Sequence, residues 1–275
     1  MDKQRGIGLA LGAGGANGLA HILMLEVFDQ LGVVPHKIAG CSIGAIMGAL
    51  YASGKSAQEI KDIVNELVVR KHDTWKDIIL RKDLLQWVQF VDPELGRGGF
   101  ISGDAVSAFL YEQIQVDRFE DLAIPLCMVA TDFWERKPVV YDSGPLLSAI
   151  QASMALPGLF TPVRRDGRIL IDGGAVNPVP YDTLAGSCRV IVAVDVTGQR
   201  SPKKDLSFVD AIFNTFQIMQ HSIVREKYAR HPPDITITPD IMDIRALDFH
   251  RLDTVFEQAR PAKEKLKREL EALLA

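Results

Sequence analysis

A single α/β domain spanning residues 1–275 is what this sequence predicts, on three observations. Residues 124–130 and 190–196 are continuous apolar runs, the pattern of strands buried on both faces rather than on one. Twice, after Leu11 and after Ala39, a short apolar stretch passes through a glycine cluster into residues spaced as one face of a helix. At 275 residues and 47% apolar composition, the chain can fill one sizeable core.

Taken in order, Gly6-Ile7-Gly8-Leu9-Ala10-Leu11 reads as the first strand, followed by a glycine loop and an apolar helix. Lys37-Ile38-Ala39 is a second short strand, and Ile43, Ile46, Met47 and Leu50 mark the helix that leaves it. Ser56 and Glu59 have capping-box spacing, opening a helix with Ile60, Ile63, Val64 and Leu67 on one side. Residues 71–100 are irregular, with Trp75, Trp87 and Phe90 among charges; they are expected to form a helical hairpin at the domain edge, or else a cover over a cleft. Ser102 caps a helix carrying Val106, Phe109, Leu110 and Ile114. Residues 168–171, 190–196 and 234–238 complete the strands. A polar connector at 201–204 leads to a helix over 208–228. Pro261 suits the first turn of a last helix. Its Leu266, Leu270 and Leu273 stripe is expected to pack in the core, with a homodimer contact as the alternative.

Chemistry concentrates in three glycine-rich places. Gly40-Cys41-Ser42-Ile43-Gly44, between a strand and a helix, has the form of a nucleophile elbow: the glycines allow a sharp turn that projects the Ser42 hydroxyl at a helix start. Gly12-Ala13-Gly14-Gly15-Ala16-Asn17-Gly18 clusters backbone N–H donors, as an anion or oxyanion requires. Asp172-Gly173-Gly174 places a carboxylate at a strand end.

Glycine loop, elbow serine and Asp-Gly-Gly, in that order, resemble the patatin-like phospholipase family. Ala130-Thr131-Asp132-Phe133, residues 152–163, Asn177-Pro178-Val179-Pro180 and residues 192–196 also look like that family's blocks, so the similarity covers roughly residues 6–198 and is nearest its small bacterial members. The resemblance implies a three-layer α/β/α fold with a largely parallel central sheet. Residues 199–275 would complete it with helices and one strand. It further implies a serine acyl hydrolase of the phospholipase A or lysophospholipase type, cleaving lipid acyl esters through a Ser42–Asp172 dyad and an acyl-enzyme, without metal or cofactor. The N–H groups of Gly14, Gly15 and Ile43 are the implied oxyanion donors, with the Asn17 side chain as a further candidate. Burial of Asp172 should raise its pKa toward neutral and improve it as a base.

Three positions depart from the family pattern. Ala13 stands where a glycine is usual; it still supplies an N–H, at the cost of a methyl group and a restricted φ. Asn17 stands where an arginine or lysine is usual, and Gln151 where an arginine is frequent. Losing both cations is expected to shift preference toward less anionic esters. Two other functions stay open beside the main one: a carboxylesterase for short soluble esters, and a non-catalytic lipid-binding adaptor retaining the fold.

Rival chemistries fit less well. His221, His231 and His250 follow the serine and the acid in chain order, as a triad histidine would, but lie in polar segments beyond the similar region. His21 on the helix after the loop reads as structural, as do Asp132 and Asp195. A dinucleotide site would put an acid where Gly40-Cys41-Ser42 stands, and a phosphate-binding loop would need a lysine after Gly18, where Leu19 is found. A net charge of −4 and the absence of a basic, aromatic-interleaved patch argue against nucleic acid. Cys41, Cys127 and Cys188 lack metal-ligand spacing and suit buried thiols in a reducing compartment. At the elbow, Cys41 should point into the core. Residues 1–25 superficially match a signal peptide, but six glycines break the apolar stretch; three prolines do the same to the uncharged segment 143–163. The expectation is a cytoplasmic protein, with peripheral membrane contact left open by a lipid substrate.

Overall fold

The computed structural model describes residues 6–69, 103–201 and 208–275. The segment expected to form a hairpin or a cover (71–100), the Ser102 cap and the connector residues 202–204 lie outside the described residues. The strands, in chain order, are β1 (Ile7–Leu11), β2 (Lys37–Cys41), β3 (Leu126–Asp132), β4 (Lys137–Tyr141), β5 (Val163–Arg165), β6 (Arg168–Asp172), β7 (Val190–Val194) and β8 (Ile235–Ile237). They form one sheet in the order β5-β6-β3-β2-β1-β7-β8, with β4 paired to β3. The pairings β3-β2, β2-β1, β1-β7 and β7-β8 are parallel; those of β4, β5 and β6 are antiparallel.

Seven helices flank the sheet among the described residues: α1 (Ala20–Leu31), α2 (Ile43–Ala52), α3 (Ala57–Val69), α4 (Gly103–Ile114), α5 (Leu146–Ser153), α6 (Phe208–Arg230) and α7 (Leu252–Leu274). Alternation along the strands divides the interior in two. Leu9, Leu11, Ile38, Met128, Val192 and Val194 join the larger core, which also buries the apolar faces of α1, α2, α5 and α7. Ala10, Ala39, Cys127 and Ala193 point the other way, against Val179, Leu184 and Val224 from the 181–184 turn region and α6. Small side chains on that face let its covering layer approach closely. The three-layer α/β/α arrangement therefore stands.

The capping box forms as expected: Glu59 N–H donates to Ser56 Oγ at 3.2 Å and Ser56 N–H to Glu59 Oε2 at 2.8 Å, opening α3. Leu266 and Leu270 are fully buried, and α7 packs along α1, so that stripe is core packing. Pro261 is a correction. It lies inside α7, which starts at Leu252, because Leu252, Val255, Phe256 and Ala259 already form a buried helical face ahead of it. Burying that face outweighs the one backbone hydrogen bond the proline forgoes.

Strand β3 is the template for the site. Its residue Val129 pairs with both Val140 of β4 and Cys41 of β2, whereas the next residue, Ala130, pairs with both Val139 of β4 and Asp172 of β6. Since β4 occupies one edge continuously, β2 and β6 share the other, end to end. The chain leaves that edge at Ser42, and β6 arrives there from the opposite direction with Asp172. Residues 130 positions apart in sequence become neighbours through adjacent positions on β3.

Candidate active site

Ser42 sits between β2 and α2 with φ 54° and ψ −121°, a strained left-handed conformation for a residue with a side chain. What holds it there is the packing of α2 against β1: at Gly44, a Cβ would run into the carbonyl of Leu11. The Ser42 N–H is fixed too, donating to Ser153 Oγ at 2.9 Å, while Ser153 Oγ donates to Val129 O at 2.7 Å. Ser153 is fully buried at the end of α5. Its role as the brace of the elbow was not read from the sequence, where only its place in a family block was visible.

The Ser42 hydroxyl donates to Asp172 Oδ2 at 2.6 Å. The other carboxylate oxygen, Oδ1, accepts the Gly174 N–H at 2.7 Å, capping the short turn Gly173–Ala175. Main-chain bonds hold Asp172 from two sides, its N–H to Ala155 O and its carbonyl from Thr131 Oγ1. At 2% exposure, it is pushed up to a pKa of about 6 by burial, which the hydrogen bonds from Ser42 and Gly174 only partly offset. Of the expected motif glycines, Gly40 packs against Ala45, Gly173 against Val129 O and Gly174 against Gln220, so each marks a close approach.

The glycine loop comes alongside. Gly12 N–H donates to Val194 O and Ala13 N–H to Pro178 O, which anchors the loop and uses the donor that Ala13 brings. The His21 ring, fully buried, donates from Nε2 to Gly12 O at 2.8 Å, and burial lowers its pKa to about 4. It is a neutral brace, as the sequence suggested. The N–H groups of Gly14, Gly15 and Ile43 have no acceptor among the described residues, and all three residues line the cleft that holds Ser42 and Asp172. Asn17 departs from expectation. Buried at 2% exposure, it donates to Thr197 O at 3.1 Å and does not line that cleft. The structure gives it a place under Gly198 rather than an oxyanion role.

The cleft holds a cavity of about 120 Å³ and is partly open to solvent. Beyond the loop and dyad residues its walls are apolar, from Ile46, Met154, Leu159, Phe160, Phe213, Phe216 and Phe249, with Gln217 and Gln220 as polar members. Asp172 is the one charged group lining it among the described residues. Among the described residues no histidine lines it; His221, His231 and His250 are exposed elsewhere. Asp132 caps its own turn by accepting from Trp134 and Glu135 N–H, and Asp195 accepts from Thr197. The Cys41 thiol is buried and its pKa raised by burial, so it is no competitor to Ser42. Among the described residues, no cluster of metal-binding side chains occurs and no helix is long and apolar enough to cross a membrane.

Below Asp172, Lys227 of α6 donates to Asn177 Oδ1, to Val179 O at 3.0 Å and to Asp182 Oδ1 at 2.6 Å. Asn177 N–H in turn donates to Gly173 O, which ties α6 to the Asp-Gly-Gly turn. Lys227→Met removes these three hydrogen bonds and, among the described residues, leaves Asp182 with only the Asn177 amide as donor. It is expected to lower stability by roughly 1–3 kcal/mol in denaturant titration.

A family model described as patatin-like phospholipase matches residues 9–185. An uncharacterized NTE family protein of Mycobacterium bovis is 31% identical over 201 residues, 72% of this chain and 51% of that one. Neuropathy target esterase sws of Drosophila melanogaster is 32% identical, over 70% of this chain and 13% of its own. A lysophospholipase of Cryptococcus neoformans is 30% identical, over 69% of this chain and 11% of its own. The chain thus spans about half the length of the mycobacterial relative and far less of the other two. VipD from Legionella pneumophila superposes with a TM-score of 0.49 at 14% identity, over 95% of this chain and 67% of that one.

Proposed function

Because the chain belongs to the patatin-like phospholipase family, we propose that it hydrolyses lipid acyl esters, with Ser42 as nucleophile and Asp172 as the base. The observation that carries this reading is the 2.6 Å hydrogen bond from Ser42 to a buried carboxylate, set in an apolar cleft. Asp172 takes the hydroxyl proton as Ser42 Oγ attacks the ester carbonyl. The N–H groups of Gly14, Gly15 and Ile43 meet the developing oxyanion. Collapse of the tetrahedral intermediate releases the alcohol, which takes the proton from Asp172, and leaves the acyl chain on Ser42. Asp172 then deprotonates a water that attacks the acyl-serine, releasing the fatty acid and returning the proton to Ser42.

A carboxylate near its ordinary pKa would be a poor base here, and the value of about 6 supports this role. It also fixes the pH dependence. The base works only when ionised, so kcat/KM should rise about tenfold per pH unit below 6 and level off above it. A flat profile between pH 4.5 and 7.5 would contradict an Asp172 base.

The many apolar wall residues favour a long acyl chain over a short one, and a cleft lined by no cation among the described residues supports neutral over strongly anionic ester groups. The three free, buried cysteines support a reducing, cytoplasmic setting. The test is labelling by a fluorophosphonate probe together with turnover of a chain-length series of nitrophenyl esters. Labelling of the wild type but not of Ser42→Ala, with kcat/KM rising from butyrate toward longer chains, is the expected result. A wild type that resists the probe and turns over no ester would move the adaptor reading ahead.

A further inference from the structure

A cationic and aromatic ledge stands over the carboxyl edge of the sheet, outside the cleft. Ser42 leaves β2 at that edge, and β3, parallel to β2, continues past it. Ala130 is level with Asp172, and the β3–β4 turn begins three residues further on, so it projects roughly 10 Å beyond the dyad at about 3.3 Å per residue. The β5–β6 turn lies beside it, since Phe133 N–H donates to Ile169 O. Two hairpin tips therefore rise together on the side where Ser42 is presented.

Their composition is unusual for a solvent-facing turn. Trp134 is 71% exposed and Phe133 46%, their rings in edge contact with centroids 4.9 Å apart. Around them four exposed cations, Arg136, Lys137, Arg164 and Arg168, outnumber the exposed acids Glu135 and Asp166, in a chain whose net charge is −4; Lys137 pairs with Glu135 at 3.8 Å and Arg168 with the buried Asp132 at 3.6 Å, so a cationic excess remains after pairing. Exposed Trp and Phe flanked by Arg and Lys fit the boundary between lipid headgroups and acyl chains, where an aromatic ring is half buried and cations meet phosphate. On the far side of the dyad, Leu247 lines the cleft and is itself 50% exposed.

We propose that this double-hairpin ledge docks the protein on a bilayer surface carrying anionic phospholipid, with Trp134 inserted and Arg136 and Lys137 on the phosphates. The inference rests on the lipid-hydrolase reading for its purpose. Its test does not, because binding is measured in the Ser42→Ala background, where no lipid is consumed. The probe is co-sedimentation with phosphatidylcholine vesicles containing phosphatidylglycerol, beside vesicles of phosphatidylcholine alone. Trp134→Ala should weaken binding to the mixed vesicles about tenfold, and Trp134→Phe should retain most of it. Arg136→Glu with Lys137→Glu should weaken it by more than tenfold, from about fivefold per cation, and chiefly where phosphatidylglycerol is present. In the Ser42 protein the same tip variants should leave turnover of soluble nitrophenyl butyrate within twofold of wild type.

Equal binding by parent and tip variants, or no binding to either vesicle, would overturn the proposal and turn attention to an acidic protein as the partner of the ledge. So would a parallel loss of soluble-ester turnover, which would mean that the tips act through the site. If nitrophenyl butyrate is not hydrolysed at all, the hydrolase reading fails while the vesicle result still decides the ledge.

Discussion

Asp172→Asn is expected to reduce ester hydrolysis by roughly 10³-fold or more and, at the same time, to make the protein more stable at pH 8. The two effects share a cause. Burial raises the Asp172 pKa from 3.8 to about 6, so the folded state binds this proton more tightly than the unfolded chain does. The stability Asp172 contributes is complete below about pH 4 and is lost as pH rises through 6. Above that, keeping an ionised carboxylate at 2% exposure costs about 3 kcal/mol. Asparagine keeps the shape: its carbonyl can accept the Gly174 N–H that Oδ1 accepts now, and its amide can donate to Ser42 Oγ. A gain of about 1–3 kcal/mol at pH 8 is expected, measured by denaturant titration, narrowing to nothing near pH 4 as Asp172 protonates. A variant less stable than wild type at pH 8, or a gap that persists at pH 4, would show that the carboxylate is not strained by burial. The charge that a base needs is then the charge the fold tolerates least.

Much of this arrangement was legible from residue order, and the reasons differ by element. The buried parallel strands were visible because burial on both faces leaves an unbroken apolar run, as in residues 190–194. Ser42 and Asp172 were visible because each lies among glycines that local geometry demands. β4 and β5 were not. β4 is a mostly exposed edge strand beginning Lys137-Pro138, and β5 has three residues, so neither carries the alternation or the apolar run that marks a strand. Ser153 escaped notice because its importance depends on Val129 O and Ser42 N–H converging on it, a fact of tertiary structure alone. Asn17 shows the opposite failure. Its place in the loop motif suggested a donor to the oxyanion, but the turn Gly15–Leu19 directs its amide to Thr197 O.

Two glycines one turn apart in α2 should respond in opposite ways, and the contrast isolates what the elbow requires. At Gly44 a Cβ would meet only main chain, the Leu11 carbonyl and then Gly12 O, and neither can move without displacing β1 and the glycine loop. Gly44→Ala should cost about 1–3 kcal/mol, the usual penalty of overpacking a close-packed interior, despite alanine's better helix propensity. The rate should suffer more than the stability. Pushing α2 off β1 moves Ser42 and Ile43 away from Gly14, Gly15 and Asp172 together, and a misplacement near 1 Å is worth roughly 10²-fold in rate. At Gly48 the nearest atoms are instead the ends of side chains, Ile38 Cγ2 at 3.2 Å and Leu126 Cδ1 at 3.3 Å. Those can yield by a few tenths of an ångström, and alanine regains up to about 1 kcal/mol of helix propensity. Gly48→Ala should therefore be close to neutral in both stability and kcat/KM. Comparing the two variants by thermal unfolding and ester turnover separates the close approach of α2 to β1 from any general effect of filling a glycine in this helix. Equal losses at both positions would mean that the elbow does not depend on the Gly44–Leu11 contact.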